Sequence, residues 1–231
     1  MPVCVIMRKR DAYATRIDRR DACPTNKRAG RPFHYPNGYA CRAGKFLYNR
    51  AAMSNRAVFL DRDGVLMADT NYVGHVERVV ILDHAPAALR RLQDAGYRLF
   101  VVTNQSGVGR GYFTREAVDE IHALLDRQFA AVGARVDRYY VCPHHPEDDC
   151  ACRKPKPKSL VDAAAEYDLD LAHCFMVGDR SSDIQCGQNA GTRTVLVLTG
   201  AGQETLAKGT VKPDFVAADV STAADWILRQ R

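Results

Sequence analysis

From Ala57 onward the chain alternates short, unbroken apolar runs with stretches whose apolar residues recur every three or four positions. The first pattern predicts buried strands and the second amphipathic helices, because side chains alternate across a strand but return to one helix face about every 3.6 residues. AVFL (Ala57–Leu60) is a buried strand that ends abruptly at Asp61. Ala85 to Ala95 is a helix with Ala88, Leu89, Leu92 and Ala95 inward and Gly96 as its stop. YRLFVV (Tyr97–Val102) is a second strand, ending at Thr103. Thr114 caps a helix running to about Val132, with Val118, Ile121, Leu124, Leu125 and Phe129 inward. RYYVC (Arg138–Cys142) is a third strand, followed by an irregular loop rich in Cys and His. Ser159 to Tyr167 is a helix, CFMV (Cys174–Val177) a strand ending at Gly178-Asp179, and Ile184 to Ala190 a short helix stopped by Gly191. TVLVL (Thr194–Leu198), FVAAD (Phe215–Asp219) and a terminal helix from Ser221 complete the order.

Strands that alternate with helices imply an α/β fold: a Rossmann-like, doubly wound parallel sheet with helices on both faces. In such sheets ligands bind at the carboxyl ends of the strands, near the reversal of strand order. The polar residues that follow strands, Asp61, Thr103 and Asp179, therefore become candidates for chemistry.

Composition changes the picture in two places. The chain of 231 residues is 46% hydrophobic and 26% charged, as suits a soluble globular protein, and no apolar run is long enough for a membrane helix. Its net charge of +6 belongs to the N-terminus. Residues 1–53 hold twelve Lys and Arg against three Asp, a surplus of nine, so residues 54–231 carry a net −3. The basic segment lacks sustained apolar periodicity and is rich in Arg, Gly, Pro, Asn and Tyr (Arg28–Tyr39). The expectation is a disordered extension at 1–53, or a mis-assigned start with Met53 as initiator, and a catalytic domain at 54–231. A targeting presequence or a nucleic-acid arm is the other reading of that segment. The eight cysteines form no disulfide framework, which fits a reducing, cytoplasmic setting.

Asp61-Arg62-Asp63-Gly64 puts two carboxylates two residues apart just beyond a buried strand. Alternation points both the same way while the chain stays extended, and Gly64 allows a sharp turn. Close carboxylates repel and need a cation between them, and so does a carboxylate attacking a phosphoryl group. The second acidic cluster, Gly178 to Asp183, can complete an all-oxygen magnesium site. Thr103-Asn104-Gln105-Ser106 offers a hydroxyl and two amides suited to phosphate oxygens. Arg153-Lys154-Pro155 supplies cations just before a helix, where backbone N–H groups also favour anions.

FLDRDGV, VVTNQSG, CRKPKP and VGDRSSD resemble the four motifs of the haloacid dehalogenase phosphatases over about Ala57 to Gly202. The resemblance implies Asp61 as nucleophile, forming an aspartyl-phosphate, and Asp63 as general acid and then base. It implies that Thr103 and Lys154 hold the transferring phosphoryl group. Magnesium would be bound by the Asp61 carboxylate, the Asp63 backbone carbonyl and Asp179, with Asp183 supporting the site from behind.

Cys142-Pro-His144-His145-Pro-Glu-Asp-Asp-Cys150-Ala-Cys152 offers three thiolates and a choice of imidazole. Three Cys and one His make a closed, structural zinc site, and spacing leaves His144 and His145 equal. The loop resembles the heptose 1,7-bisphosphate 7-phosphatase family, which implies zinc on Cys142, His144, Cys150 and Cys152. It also implies that Asp69, Thr70, Asn71 and Tyr72 contact the substrate and that Arg153 recognises it. Asn104, Gln105, Ser106 and Arg180 join them as substrate-binding candidates. Arg180 stands where some members carry Lys. The five residues between His144 and Cys150 also resemble histidinol-phosphate phosphatases, the second reading, and DNA 3′-phosphatases share parts of the first two motifs. The expectation is therefore a monomeric enzyme acting on a small phosphorylated sugar. It has no large cap domain and no membrane or nucleic-acid partner.

Overall fold

The computed structural model describes residues 33–34, 39–42, 45–48 and 55–230. The chain divides into two units, Met1–Met53 and Ser54–Arg231. In the first unit three short strands, β1 (Phe33–His34), β2 (Tyr39–Arg42) and β3 (Lys45–Tyr48), pair antiparallel in that order. Apolar patterning gave no sign of these strands. The expected disorder, and the start at Met53, concern residues that mostly lie outside those described.

The second unit is a six-stranded, all-parallel sheet in the order β6-β5-β4-β7-β8-β9. Its strands are β4 (Ala57–Leu60), β5 (Arg98–Asn104), β6 (Arg138–Cys142), β7 (Phe175–Gly178), β8 (Arg193–Val197) and β9 (Phe215–Ala217). The helices are α1 (Ala85–Asp94), α2 (Ser106–Gly109), α3 (Arg115–Ala130), α4 (Lys158–Tyr167), α5 (Ser181–Ala190), α6 (Gly202–Lys208) and α7 (Val220–Leu228).

Strand alternation divides the apolar side chains into two cores. Val58, Leu60, Leu99, Val101, Val177 and Val195 pack with α1, α3 and α7 on one face. Ala57, Phe59, Phe100, Val102 and Met176 pack with α4 and α5 on the other. Both faces of the sheet are covered, which is why its central strands read as continuous apolar runs.

The structure shifts some details of the pattern reading. Thr103 and Asn104 lie inside β5, where they pair with Val141 and Cys142 of β6. Ala95 and Leu124 are only partly buried, and His122 takes a fully inward position on α3. Helices α2 and α6 were not anticipated; four and seven residues long, they are too short to display a helical repeat. Among the described residues no helix is long and apolar enough to cross a membrane.

Candidate active site

β4 lies between β5 and β7, so Asp61, the Thr103–Asn104 end of β5 and Asp179 share one edge of the sheet. Here the chain, having moved outward through β5 and β6, returns to β7 on the other side of β4, which opens a crevice at the strand ends. A cavity of about 390 Å³ occupies it. Asp61, Asp63, Thr103 and Lys154 line it, as do Asp69, Asn71, Tyr72, Asn104, Gln105, Ser106, Arg153 and Arg180. Thr70 does not; it is exposed beside the cavity, and its carbonyl accepts a hydrogen bond from Arg78 Nη2 (2.9 Å).

Beneath the cavity, carboxylate oxygens of Asp61, Asp179 and Asp183 come within 4.8 Å of one another. All three residues are buried. Lys154 Nζ sits among them, 2.9 Å from Asp61 Oδ1 and 2.7 Å from Asp183 Oδ1, and donates to the Val102 carbonyl. Asn104 clamps the Lys154 backbone at both its N–H and its carbonyl. Burial alone would lower the Lys154 pKa, but the Asp183 and Asp61 carboxylates outweigh it and raise it. Burial raises Asp61 well above the ordinary carboxylate range, and Asp183, Asp179 and Asp63 add to the rise while Lys154 opposes it. Burial also brings Asp179 up to about 6, with Asp183 adding to it.

One ammonium among three buried carboxylates leaves an excess of negative charge. Asp179 Oδ1 is buried and accepts no hydrogen bond, while its Oδ2 takes one from the Ala201 N–H (2.7 Å). Gly64 and Gly200 press against that carboxylate; a Cβ on either would lie 2.3 Å from Asp179 Oδ2. An unsatisfied oxygen in an all-oxygen, anionic cradle fits a magnesium ion.

Asp63 is held from two sides. Arg62 Nε and Nη2 donate to its two oxygens, and Gln105 Nε2 donates to Oδ2 (2.8 Å) and to Thr103 Oγ1 (2.7 Å). Across the mouth runs a strap of residues 69–74. Asn71 and Tyr72 both adopt left-handed backbone conformations (φ 56° and 47°), which non-glycine residues rarely do. Asp69 Oδ1 accepts from the Asn71 N–H, Asp69 Oδ2 pairs with Arg180 Nη2 at 2.5 Å, and Arg78 ties down the Thr70 carbonyl.

The Cys/His loop converges as well. Cys142 and Cys150 sulfurs are 3.4 Å apart, Cys150 and Cys152 3.7 Å, and His144 Nδ1 lies 3.3 Å from Cys152 Sγ and 3.7 Å from Cys142 Sγ. Ligand atoms about 2.3 Å from a tetrahedral zinc stand at such separations. The choice that spacing left open falls to His144. His145 Nδ1 instead accepts the Glu147 N–H in the following turn. Cys152 immediately precedes Arg153 and Lys154, so an ion here would fix the segment that carries both cations.

Motif reading overlooked several supporting residues. Thr199, whose hydroxyl donates to the Gly64 carbonyl (2.6 Å), Gly200 and the Ala201 N–H follow β8, a strand end without any charged side chain to signal it. Phe113 lies against both Gly74 and Gly107 and joins the strap to the α2 turn. Arg62 did carry a signal: a charge at a position whose alternation directs it toward the α1–α3–α7 core.

Comparison with known proteins agrees with this geometry. Residues 151–223 match the family model described as HAD-hydrolase-like. The D-glycero-beta-D-manno-heptose-1,7-bisphosphate 7-phosphatase of Bordetella bronchiseptica is 38% identical over 177 residues, 76% of this chain and 99% of that protein. The Yersinia pestis enzyme of the same name is 39% identical over 181 residues, 74% of this chain and 89% of that one. The crystal structure of the B. bronchiseptica D,D-heptose 1,7-bisphosphate phosphatase, complexed with magnesium and phosphate, superimposes with a TM-score of 0.73 over 76% of this chain and 99% of that one. With a haloacid dehalogenase-like sheet, an oxygen-rich cradle at its strand ends and relatives matched over nearly their full length, the chain belongs to the heptose-1,7-bisphosphate 7-phosphatase family of hydrolases.

Proposed function

We propose that this protein is a phosphomonoesterase that removes the 7-phosphate of D-glycero-D-manno-heptose 1,7-bisphosphate and supplies heptose 1-phosphate to nucleotide-activated heptose synthesis. The observation that carries this reading is the buried Asp61–Lys154–Asp183 contact, with Asp179 alongside, at the floor of a cavity also lined by Arg153 and Arg180. Arg153 Nη1 is buried and has no hydrogen-bond partner among the described residues, a donor ready for an anion such as the substrate's second phosphate.

Asp61 attacks the phosphorus, the bond to the sugar oxygen breaks, and Asp63 delivers a proton to that oxygen. Asp63, now a carboxylate, then takes a proton from the water that hydrolyses the aspartyl-phosphate. Lys154 and Thr103 hold the phosphoryl oxygens, and Asn104, Gln105 and Ser106 complete the rim beside them. Asp69, Asn71 and Tyr72 meet the sugar from the strap. Magnesium, held by the Asp61 and Asp179 carboxylates and the Asp63 backbone carbonyl, supplies neutralising charge to the phosphoryl group when bound. Zinc on Cys142, His144, Cys150 and Cys152 keeps the Arg153–Lys154 segment in register. Cysteines without disulfide partners among the described residues persist in a reducing compartment, so we place the enzyme in the cytoplasm, and we take it to act as a monomer.

The test is phosphate release, with magnesium, from both heptose bisphosphate anomers, histidinol phosphate and a 3′-phosphorylated oligonucleotide. The heptose substrates should be strongly preferred; preference for histidinol phosphate would overturn the substrate while leaving the chemistry. Asp61→Asn should abolish turnover on all of them, and surviving activity would reject the covalent route.

A further inference from the structure

The residue between the two motif carboxylates is the largest fully buried side chain among the described residues. Arg62 is 0% exposed. A buried guanidinium is costly unless it is paired and hydrogen-bonded. Arg62 makes one ion pair among the described residues, with Asp63. Nε donates to Asp63 Oδ2 at 3.1 Å and Nη2 to Oδ1 at 3.0 Å, the two-pronged fit of a planar guanidinium to a planar carboxylate. Nη1 has no hydrogen-bond partner among the described residues. Behind it the core offers no rival anion on the facing helix position: His122 of α3 is buried, its pKa lowered to about 3 by burial and by the Arg62 and Arg115 charges, so it stays neutral. The cost of burying Arg62 is thus offset almost wholly through Asp63.

We infer that Arg62 is a positioning residue that locks the carboxyl plane of Asp63 so that one chosen oxygen, Oδ1, faces the leaving group. This rests on the reading of Asp63 as the proton donor. Oδ2 already receives Arg62 Nε and Gln105 Nε2 at 2.8 Å, with Thr103 Oγ1 at 3.5 Å. Oδ1 receives Arg62 Nη2 alone among these donors. A carboxyl oxygen has about two lone-pair sites, so Oδ1 keeps room for the proton and Oδ2 does not. In the step itself, an Asp61 oxygen bonds to phosphorus, the phosphorus–sugar oxygen bond breaks, its electron pair stays on the sugar oxygen, and the proton on Asp63 Oδ1 passes to that oxygen. Rotation of the carboxyl by even a modest angle would move this proton off line while leaving Asp61 untouched.

The experiment separates leaving groups. A sugar alkoxide needs the proton, whereas p-nitrophenolate does not, and kcat/KM reports only steps up to formation of the aspartyl-phosphate. For Arg62→Gln, the ratio of kcat/KM for heptose bisphosphate to that for p-nitrophenyl phosphate should fall about 100-fold, the scale of general-acid catalysis. Arg62→Lys, which keeps the charge but reaches only one oxygen, should fall between Gln and the native enzyme. It also reads the same ratio if the Gln variant fails to fold. An unchanged ratio, whatever the absolute loss, would overturn the inference and leave Arg62 a packing residue. Asp63→Asn run alongside distinguishes the two claims. If it lowers the ratio and the Arg62 variants do not, only the positioning role fails; if it too leaves the ratio unchanged, the proton-donor reading fails first.

Discussion

Asp179 joins two properties that conflict without a cation: it is buried, and one of its carboxylate oxygens accepts nothing. Its raised pKa of about 6 follows from burial first and the Asp183 charge second. Magnesium binding needs the ionised form, so protons compete with the metal below that pH. The apparent magnesium affinity should therefore fall as pH drops through about 6, with the raised Asp61 carboxyl adding to the loss; calorimetric titration from pH 5 to 8 measures it. A pH-independent affinity would exclude Asp179 as a ligand. The His122 pKa is shifted the other way. Its folded pKa is lowered from 6.5 to about 3, so the unfolded chain binds a proton that the folded one refuses between those values. Stability from this group is complete above pH 6.5 and drains away as pH falls toward 3, by about 1.4 kcal/mol per unit. With magnesium saturating, His122→Phe, which can keep the stack on Tyr139 (4.1 Å between centroids), should flatten the acid side of a melting-temperature profile.

At the scale of elements, two loops carry the site and each has its own fastening. The strap is held to the α2 turn by Phe113, wedged between Gly74 and Gly107. A Cβ at residue 107 would lie 2.3 Å from the Phe113 ring. Gly107→Ala should displace the ring, free the strap, and raise KM for the sugar substrate about tenfold or more while kcat moves less. The tyrosine pair Tyr72 and Tyr112, edge to face with centroids 5.0 Å apart, should loosen with it. On the proposed reading, zinc on Cys142, His144, Cys150 and Cys152 fastens the Cys/His loop. Cys150→Ser should release zinc, expose the loop to protease near residues 143–152, and lower kcat/KM about 100-fold through misplacement of Lys154. Magnesium affinity should survive, because Asp61 and Asp179 hang from β4 and β7 rather than from this loop. Simultaneous loss of both metals would count against two independent fastenings.

Over the whole molecule, the B. bronchiseptica enzyme matches 76% of this chain across 99% of its own length, about the extent of the Ser54–Arg231 unit. A chain starting at Ser54 should keep full phosphatase activity while losing the basic surplus of residues 1–53; a large drop in kcat/KM would give that segment a catalytic part. The unit's strands and long helices were legible in the sequence because burial on both sheet faces demands unbroken apolar runs and the covering helices demand a 3.6-residue stripe. The order of motifs, and the placing of Asp61, Asp63 and Asp179 beyond strand ends, followed from the same pattern. Three things did not. The three N-terminal strands lie in polar, mixed sequence that shows no apolar period. The choice of His144 over His145 depends on where a loop folds back in space. Thr199, Gly200, Ala201 and Arg78 act through backbone groups or on them, so their residue types announce no chemistry. Sequence alone determined which side chains could do phosphoryl transfer, since chemistry requires carboxylates, a lysine and a hydroxyl. Only the tertiary structure decided that they meet, that Asp179 keeps one oxygen unsatisfied, and that the Arg62 guanidinium grips both oxygens of Asp63, because distance and pairing belong to the packed chain and not to its order.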